Sequence, residues 1–223
     1  MLLEVCAYNV QSCLVAAKAG AGRIELCSNP AEGGVTPSFG LIAYVMEQVP
    51  IPAYIMIRPR GGNYLYDAHD LAIMKKDIIR CREMGCKGIA TGVQLANRRL
   101  NADVMRHIVD WAGDMEVTCH KVFDETPNAF EALDVLIAAG VRRVLTSGLQ
   151  KTATDGATLL KQLVDYAQGR IVIMPGGSVR SANIAALASA TGAAEFHSSA
   201  ITERGGQLAN EKEVIQLIKE LNK

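Results

Sequence analysis

Eight short aliphatic runs alternate with helical runs along the whole 223-residue chain, and this period constrains the fold more than any other feature. The runs cover 3–8, 23–27, 53–58, 88–92, 116–123, 143–147, 171–174 and 195–199. Their starts lie about 27 residues apart on average, the length of one strand–helix unit. Eight such units in a chain of this length predict an α/β protein, a closed (β/α)8 TIM barrel forming a single domain over 1–223.

The intervening segments have helical spacing. In 67–84, Leu71, Met74, Ile78 and Met84 fall near one face, while Lys75, Lys76 and Arg82 point away from it. Phe130, Leu133, Leu136 and Ile137 repeat the pattern in 128–139, as do Leu159, Leu160, Leu163 and Val164 in the next unit. Glycine closes four helical runs, at Gly20, Gly85, Gly140 and Gly192, ahead of the second, fourth, sixth and eighth strands. Glycine there supplies the left-handed residue that stops a helix. An open doubly wound sheet would need guarded edges, and no strand carries edge charges or proline.

Composition narrows the partners. Lys+Arg and Asp+Glu both number 23, so the formal charge is zero, which speaks against nucleic acid or an anionic membrane surface. A hydrophobic content of 49% supplies a sizeable core and excludes disorder. No apolar run reaches the length of a membrane span. The opening Met1, Leu2, Leu3, Glu4 lacks the basic region of a signal peptide. Six cysteines, at 6, 13, 27, 81, 86 and 119, form no Cys-x-x-Cys pair. They read as reduced thiols of a cytoplasmic protein, most of them small core residues.

Barrel strands are buried on both faces and should be apolar throughout. Several of these are not. By period-two alternation Glu4 shares a face with Cys6, Glu25 with Cys27, Arg58 with Arg60, Thr118 with His120 and Asp124, and Glu195 with His197. Val5, Ile24, Leu26, Ile57, Val117 and Phe196 lie opposite, toward the helices. The polar set is therefore expected inside the barrel and paired, with Arg58 held by Glu4, Glu25 or Glu195, because lone buried charges are costly. It is either a structural polar core that sets register or a site at the carboxyl ends of the strands. As a site, His120 is the acid/base with Glu25 or Asp124, and Arg58 and Arg60 hold an anion.

Two further features bear on ligands. Gly176, Gly177 and Ser178 follow the seventh strand, and His197, Ser198 and Ser199 end the eighth. Loops at these places in barrels often bind phosphate through backbone N–H groups. Gly176, Gly177, His197, Ser198 and Ser199 are thus candidate anion-binding residues, with Ser147 on the same rim and Lys121 or Arg60 as counter-charge; a plain tight turn is the alternative. No paired-histidine or paired-cysteine metal motif is present. Cys6 and Cys27 each follow a glutamate by two residues on adjacent strands and are expected level in the lumen, where two soft thiolates suit Cu(I). Two small buried hydrophobes are the alternative. Cys119, out of phase with His120, is expected to face the helices, and Cys81 and Cys86 to be packing residues.

Glu25-Leu26-Cys27, Gly33-Gly34-Val35-Thr36-Pro37-Ser38, Arg58-Pro59-Arg60-Gly61-Gly62, Thr91-Gly92-Val93, His120-Lys121-Val122-Phe123-Asp124, Leu145-Thr146-Ser147-Gly148 and His197-Ser198-Ser199 together resemble the CutC family, from Leu3 to about Ala200. The resemblance implies a cytosolic TIM barrel, commonly a homo-oligomer (dimer or higher), associated by name with copper homeostasis and Cu(I) binding. Copper or a small anionic ligand is the implied partner. The rival expectation is an enzyme acting on a small anionic, including phosphorylated, metabolite at the carboxyl face of the barrel. Lys121 stands where the family usually has Arg, which removes a bidentate donor. The loop after Val93 lacks the family's Asp-rich turn.

Overall fold

The structure, a computed structural model, describes residues 1–203 and 205–223. Strands and helices alternate: β1 (Leu2–Ala7), α1 (Val10–Lys18), β2 (Arg23–Leu26), α2 (Phe39–Gln48), β3 (Ala53–Met56), α3 (Ala68–Glu83), β4 (Gly88–Thr91), α4 (Ala102–Ala112), β5 (Glu116–Cys119), α5 (Ala129–Ala139), β6 (Arg143–Thr146), α6 (Ala157–Ala167), β7 (Val172–Pro175), α7 (Ile184–Thr191), β8 (Glu195–Ser198) and α8 (Glu211–Leu221). Several helices begin where a short polar side chain takes an orphan N–H: Asn9 accepts from Ser12, Asp67 from His69 and Asp70, and Asn128 from Phe130 and Glu131. Gly140 and Gly192 stop α5 and α7 at φ of 81° and 69°, the left-handed conformation expected of them.

All pairings between strands are parallel, in the order β7-β6-β5-β4-β3-β2-β1-β8. This is the predicted (β/α)8 barrel with one difference. β7 and β8 share no ladder among the described residues, so the cylinder is nearly closed, with one seam. Strand five is also shorter than expected. It ends at Cys119, because His120 Nδ1 accepts the Val122 N–H at 3.2 Å and turns the chain into a short 3-10 helix, Lys121–Glu125.

The apolar core lies between strands and helices. Val5, Ile24, Leu26, Ile55, Ile57, Val117, Cys119 and Phe196 pack outward against helix residues such as Met74, Ile78, Met105, Ile108, Leu133 and Leu160. Cys119 thus faces the helices, and Cys81 and Cys86 are buried packing residues. Inside the cylinder a small separate cluster joins Cys6, Cys27, Met56 and Ala90, with Tyr8 against it. Helices on the outside and polar residues within leave the strand carboxyl ends as the open face. No described helix is long and apolar enough to cross a membrane.

Candidate functional site

The lower lumen is an ion-paired plug. Arg23, Glu116, Arg143 and Glu195 are the first residues of their strands, so their side chains meet at one level. Arg23 donates to Glu4 and, at 2.6 Å, to Glu195; Arg143 donates to Glu195 at 3.0 Å and to Glu116 at 2.7 Å. The Tyr54 hydroxyl donates to Glu116 at 2.5 Å, and both guanidinium carbons lie over its ring, 4.8 and 5.0 Å from the centroid. Gly88 makes room for that ring, since a Cβ there would lie 2.4 Å from Tyr54 Cε2. Every charge in the plug has a partner, which is what buried ions require.

The expected Arg58–carboxylate pairing does not form. Arg58 lies two residues beyond the end of β3, so its guanidinium reaches the rim. There it donates to the carbonyl oxygens of Glu32, of Gly34 at 2.9 Å and of Gly62 at 2.7 Å. Arg23 and Arg143 carry the role expected of Arg58. Arg60 leaves the lumen altogether: its side chain is 40% exposed and pairs with Asp70 of α3 at 2.9 Å.

Above the plug the chemistry changes. His197 Nδ1 lies 2.7 Å from Glu4 Oε1, and its Nε2 lies 3.8 Å from Glu25 Oε2. Glu25 Oε2 is 3.5 Å from Cys27 Sγ, and Cys27 Sγ is 3.9 Å from Cys6 Sγ. The two cysteines are not level as expected. Cys6 pairs with Glu25 and Glu4 with Arg23, a two-residue stagger of the kind barrel closure imposes, yet the sulfurs still meet diagonally. Cys6, Glu25 and Cys27 present ligand atoms within 4.8 Å of one another, and so do Glu4, Glu25 and His197.

The electrostatics follow from this packing. Burial opposes the Glu4 carboxylate, but the His197 and Arg23 contacts outweigh it and bring its pKa down to about 2. Burial, then the nearby Cys6, holds Glu25 well above the usual carboxylate range. The bond from Cys27 pulls the Cys6 thiol well below its ordinary value against the burial penalty. His197 also resists burial and is held well above the ordinary imidazole range by Glu25, Cys6 and Glu4.

His120 is the opposite case. Burial, followed by the charge of Arg58, pushes its pKa down to about 3, so the ring is neutral. Because Nδ1 accepts from Val122, Nε2 carries the proton. That Nε2 and Glu25 Oε1 are buried without a partner, as are Arg58 Nε and the Tyr66 hydroxyl. Asp124 is saturated: it accepts from the Thr146 hydroxyl, from the Ser147 N–H and hydroxyl and from the Leu149 N–H, and it anchors the loop after β6. Ser147 is thereby an anchor residue as well. The lumen thus brings together Cys6, Glu25, Cys27 and His197, and keeps Arg60 out of the set.

Residues 1–202 match the CutC family. The chain belongs to the CutC family. Among CutC relatives, the mouse copper homeostasis protein cutC homolog is 41% identical over 203 residues, 91% of this chain and 75% of its own. The CutC family protein of Photorhabdus laumondii is 45% identical over 198 residues, 89% and 79% of the two chains. The crystal structure of the Streptococcus agalactiae copper homeostasis protein CutC superposes with a TM-score of 0.85 at 32% identity, covering 89% of this chain and 98% of that one. A KDPGal structure shares the fold alone, at 17% identity and a TM-score of 0.61.

The mouth of this CutC barrel opens into a cleft of about 210 Å3 reaching Cys6 and His197. A larger groove of about 390 Å3 lies outside the barrel, near the starts of α4 and α5, and contains none of these side chains. Arg23 and Arg143 escaped sequence reasoning because they begin their strands and look like helix–strand junctions. Their period-two phase with Glu25 and Ser147 was the signal for an inward direction.

Proposed function

We propose that this CutC protein binds Cu(I) as cargo through Cys6 and Cys27, in a reducing, cytoplasmic compartment. The observation that carries the reading is the pair of buried sulfurs 3.9 Å apart. With a metal–sulfur bond of about 2.3 Å, that separation corresponds to an S–metal–S angle of about 115°. An angle that open leaves room for a third ligand, and Glu25 presents an oxygen within 4.8 Å of both sulfurs. Soft thiolates select Cu(I) over hard cations. The six buried free thiols accord with a reducing compartment. Assembly into a homo-oligomer belongs to the same proposal and is read by light scattering. Anaerobic competition titration against a Cu(I) chelator is the test: one ion per chain is expected, lost in Cys6→Ser/Cys27→Ser. Undiminished affinity in the folded double variant overturns the reading.

One observation favours a second reading, an enzyme for a small anionic metabolite. Glu25 Oε1 and His120 Nε2 are buried and unpartnered, each a cost of about 1–3 kcal/mol that ligand atoms would remove. Here Glu25, its pKa raised by burial, is the acid and the neutral His120 N–H a donor to developing negative charge. A metabolite that raises the melting temperature in wild type, and neither in Glu25→Gln nor in His120→Phe, supports it; equal shifts in all three refute it.

A further inference from the structure

The cleft at the mouth opens beside the one unzipped seam of the barrel, between β7 and β8. Its lining includes Lys121, Arg180 and His197 and no carboxylate, in a chain with no net charge. Gly177, at φ 107°, and Ser178, at φ 57°, follow one another in positive-φ conformations. Such a conformation is uncommon and strained for a non-glycine residue, and strain of this kind collects at ligand sites. The backbone N–H groups of Gly177, Ser178 and Ser199 donate to no acceptor among the described residues. Lys121 Nζ makes one long ion pair. It is 3.7 Å from Asp124, whose oxygens already accept several shorter bonds, and it would lie 3.5 Å from a Cβ placed on Gly177. That same Cβ would sit 3.1 Å from Ser147 Cβ, so the missing side chain keeps open the space that the ammonium faces. Arg180 stiffens the far wall: it donates to the Ser198 hydroxyl at 3.2 Å, to the Ser199 hydroxyl at 3.5 Å and to the Ile201 carbonyl at 3.1 Å.

We infer that the loops after β7 and β8, with Lys121, form an oxyanion subsite that takes the phosphate group of a small phosphate monoester, the rest of the ligand running down the cleft toward Cys6 and His197. Free N–H groups on two loops that line one cleft supply hydrogen bonds to a dianion, and Lys121 supplies its counter-charge. The phosphate-binding claim stands on the cleft alone. Only the assignment of a phosphate ester as substrate rests on the enzymatic reading.

The test is a titration of 15N-labelled protein with inorganic phosphate at constant ionic strength. The amides of Gly177, Ser178 and Ser199 are expected to shift together along one saturable curve. Lys121→Gln weakens that curve roughly tenfold or more, the loss of one charge-assisted contact, while the exposed control Lys161→Gln leaves it unchanged. Gly177→Ala, which fills the hollow and strains the backbone, weakens it as well. Absence of saturable shifts at these amides, or equal affinity in wild type and Lys121→Gln, overturns the inference. Cys6→Ser/Cys27→Ser retains phosphate binding if the subsite is as described. Failure of the copper proposal and failure of this one are therefore separate results, and phosphate binding without turnover of any ester sinks the enzymatic reading alone.

Discussion

Arg23→Met is the sharpest probe of the lumen. Methionine keeps most of the stem but removes the guanidinium that Glu4 and Glu195 share. Glu4 retains His197 and Glu195 retains Arg143, so the damage is the loss of one member of a network. Deleting one partner of a buried pair costs about 3–5 kcal/mol. The Glu4 shift, from 4.5 to about 2, is worth about 3 kcal/mol in all, set against burial by His197 first and Arg23 second, so part of it goes with Arg23. For 223 residues, an unfolding entropy of about 2.1 cal/mol/K per residue converts each kcal/mol into about 2 °C, hence a fall of about 6–10 °C in Tm. The pH dependence is also defined. Because the folded pKa of Glu4 is depressed, its contribution is present above pH 4.5 and lost as pH falls toward 2. That acid limb is expected to flatten in Arg23→Met. Differential scanning calorimetry at pH 7 and across the acid limb reads both quantities. The double variant Arg23→Met/Glu4→Gln should lose less than the sum of the single variants. A fall below about 2 °C, or additive losses, would refute the view of the plug as a coupled network.

His120→Asn tests the neutral imidazole. The folded pKa of about 3 lies below the unfolded 6.5, so the unfolded chain binds the extra proton as pH drops, and wild type should lose about 1.6 kcal/mol more than the variant between pH 6.5 and 5, read from urea midpoints. Gly88→Ala drives a Cβ to 2.4 Å from Tyr54 Cε2 and should cost about 1–3 kcal/mol in chemical denaturation. Asp124→Asn removes acceptors from the loop after β6, so amide exchange at Ser147 and Leu149 should accelerate roughly tenfold or more, with unchanged rates contradicting the anchor role.

The barrel was legible because each strand–helix unit repeats the same pattern, an aliphatic strand followed by a helix with one apolar face, and capping residues or a stop glycine mark several of the helix ends. The inward direction of Glu4, Cys6, Glu25, Cys27 and His197 followed from alternation alone. What alternation cannot supply is axial level. Cys6 stands opposite Glu25 in the register of β1 and β2, and reaches Cys27 only diagonally, because each strand is displaced along its neighbour, and Arg58 reaches loop carbonyls because it lies past the end of β3. Arg60 shares a phase with Arg58 only while the chain stays extended, and the turn after Arg58 sends it to Asp70. Strand five stops early because one imidazole nitrogen takes an amide from two residues ahead, a local hydrogen bond that hydrophobic patterning does not register.

X-ray absorption at the copper edge, on protein loaded anaerobically with one equivalent of Cu(I), reads the donor atoms around the bound ion. Two sulfur neighbours in wild type, replaced by nitrogen and oxygen alone in Cys6→Ser/Cys27→Ser, are the predicted result. A first shell without sulfur in wild type, or an identical spectrum in the double variant, would contradict the account.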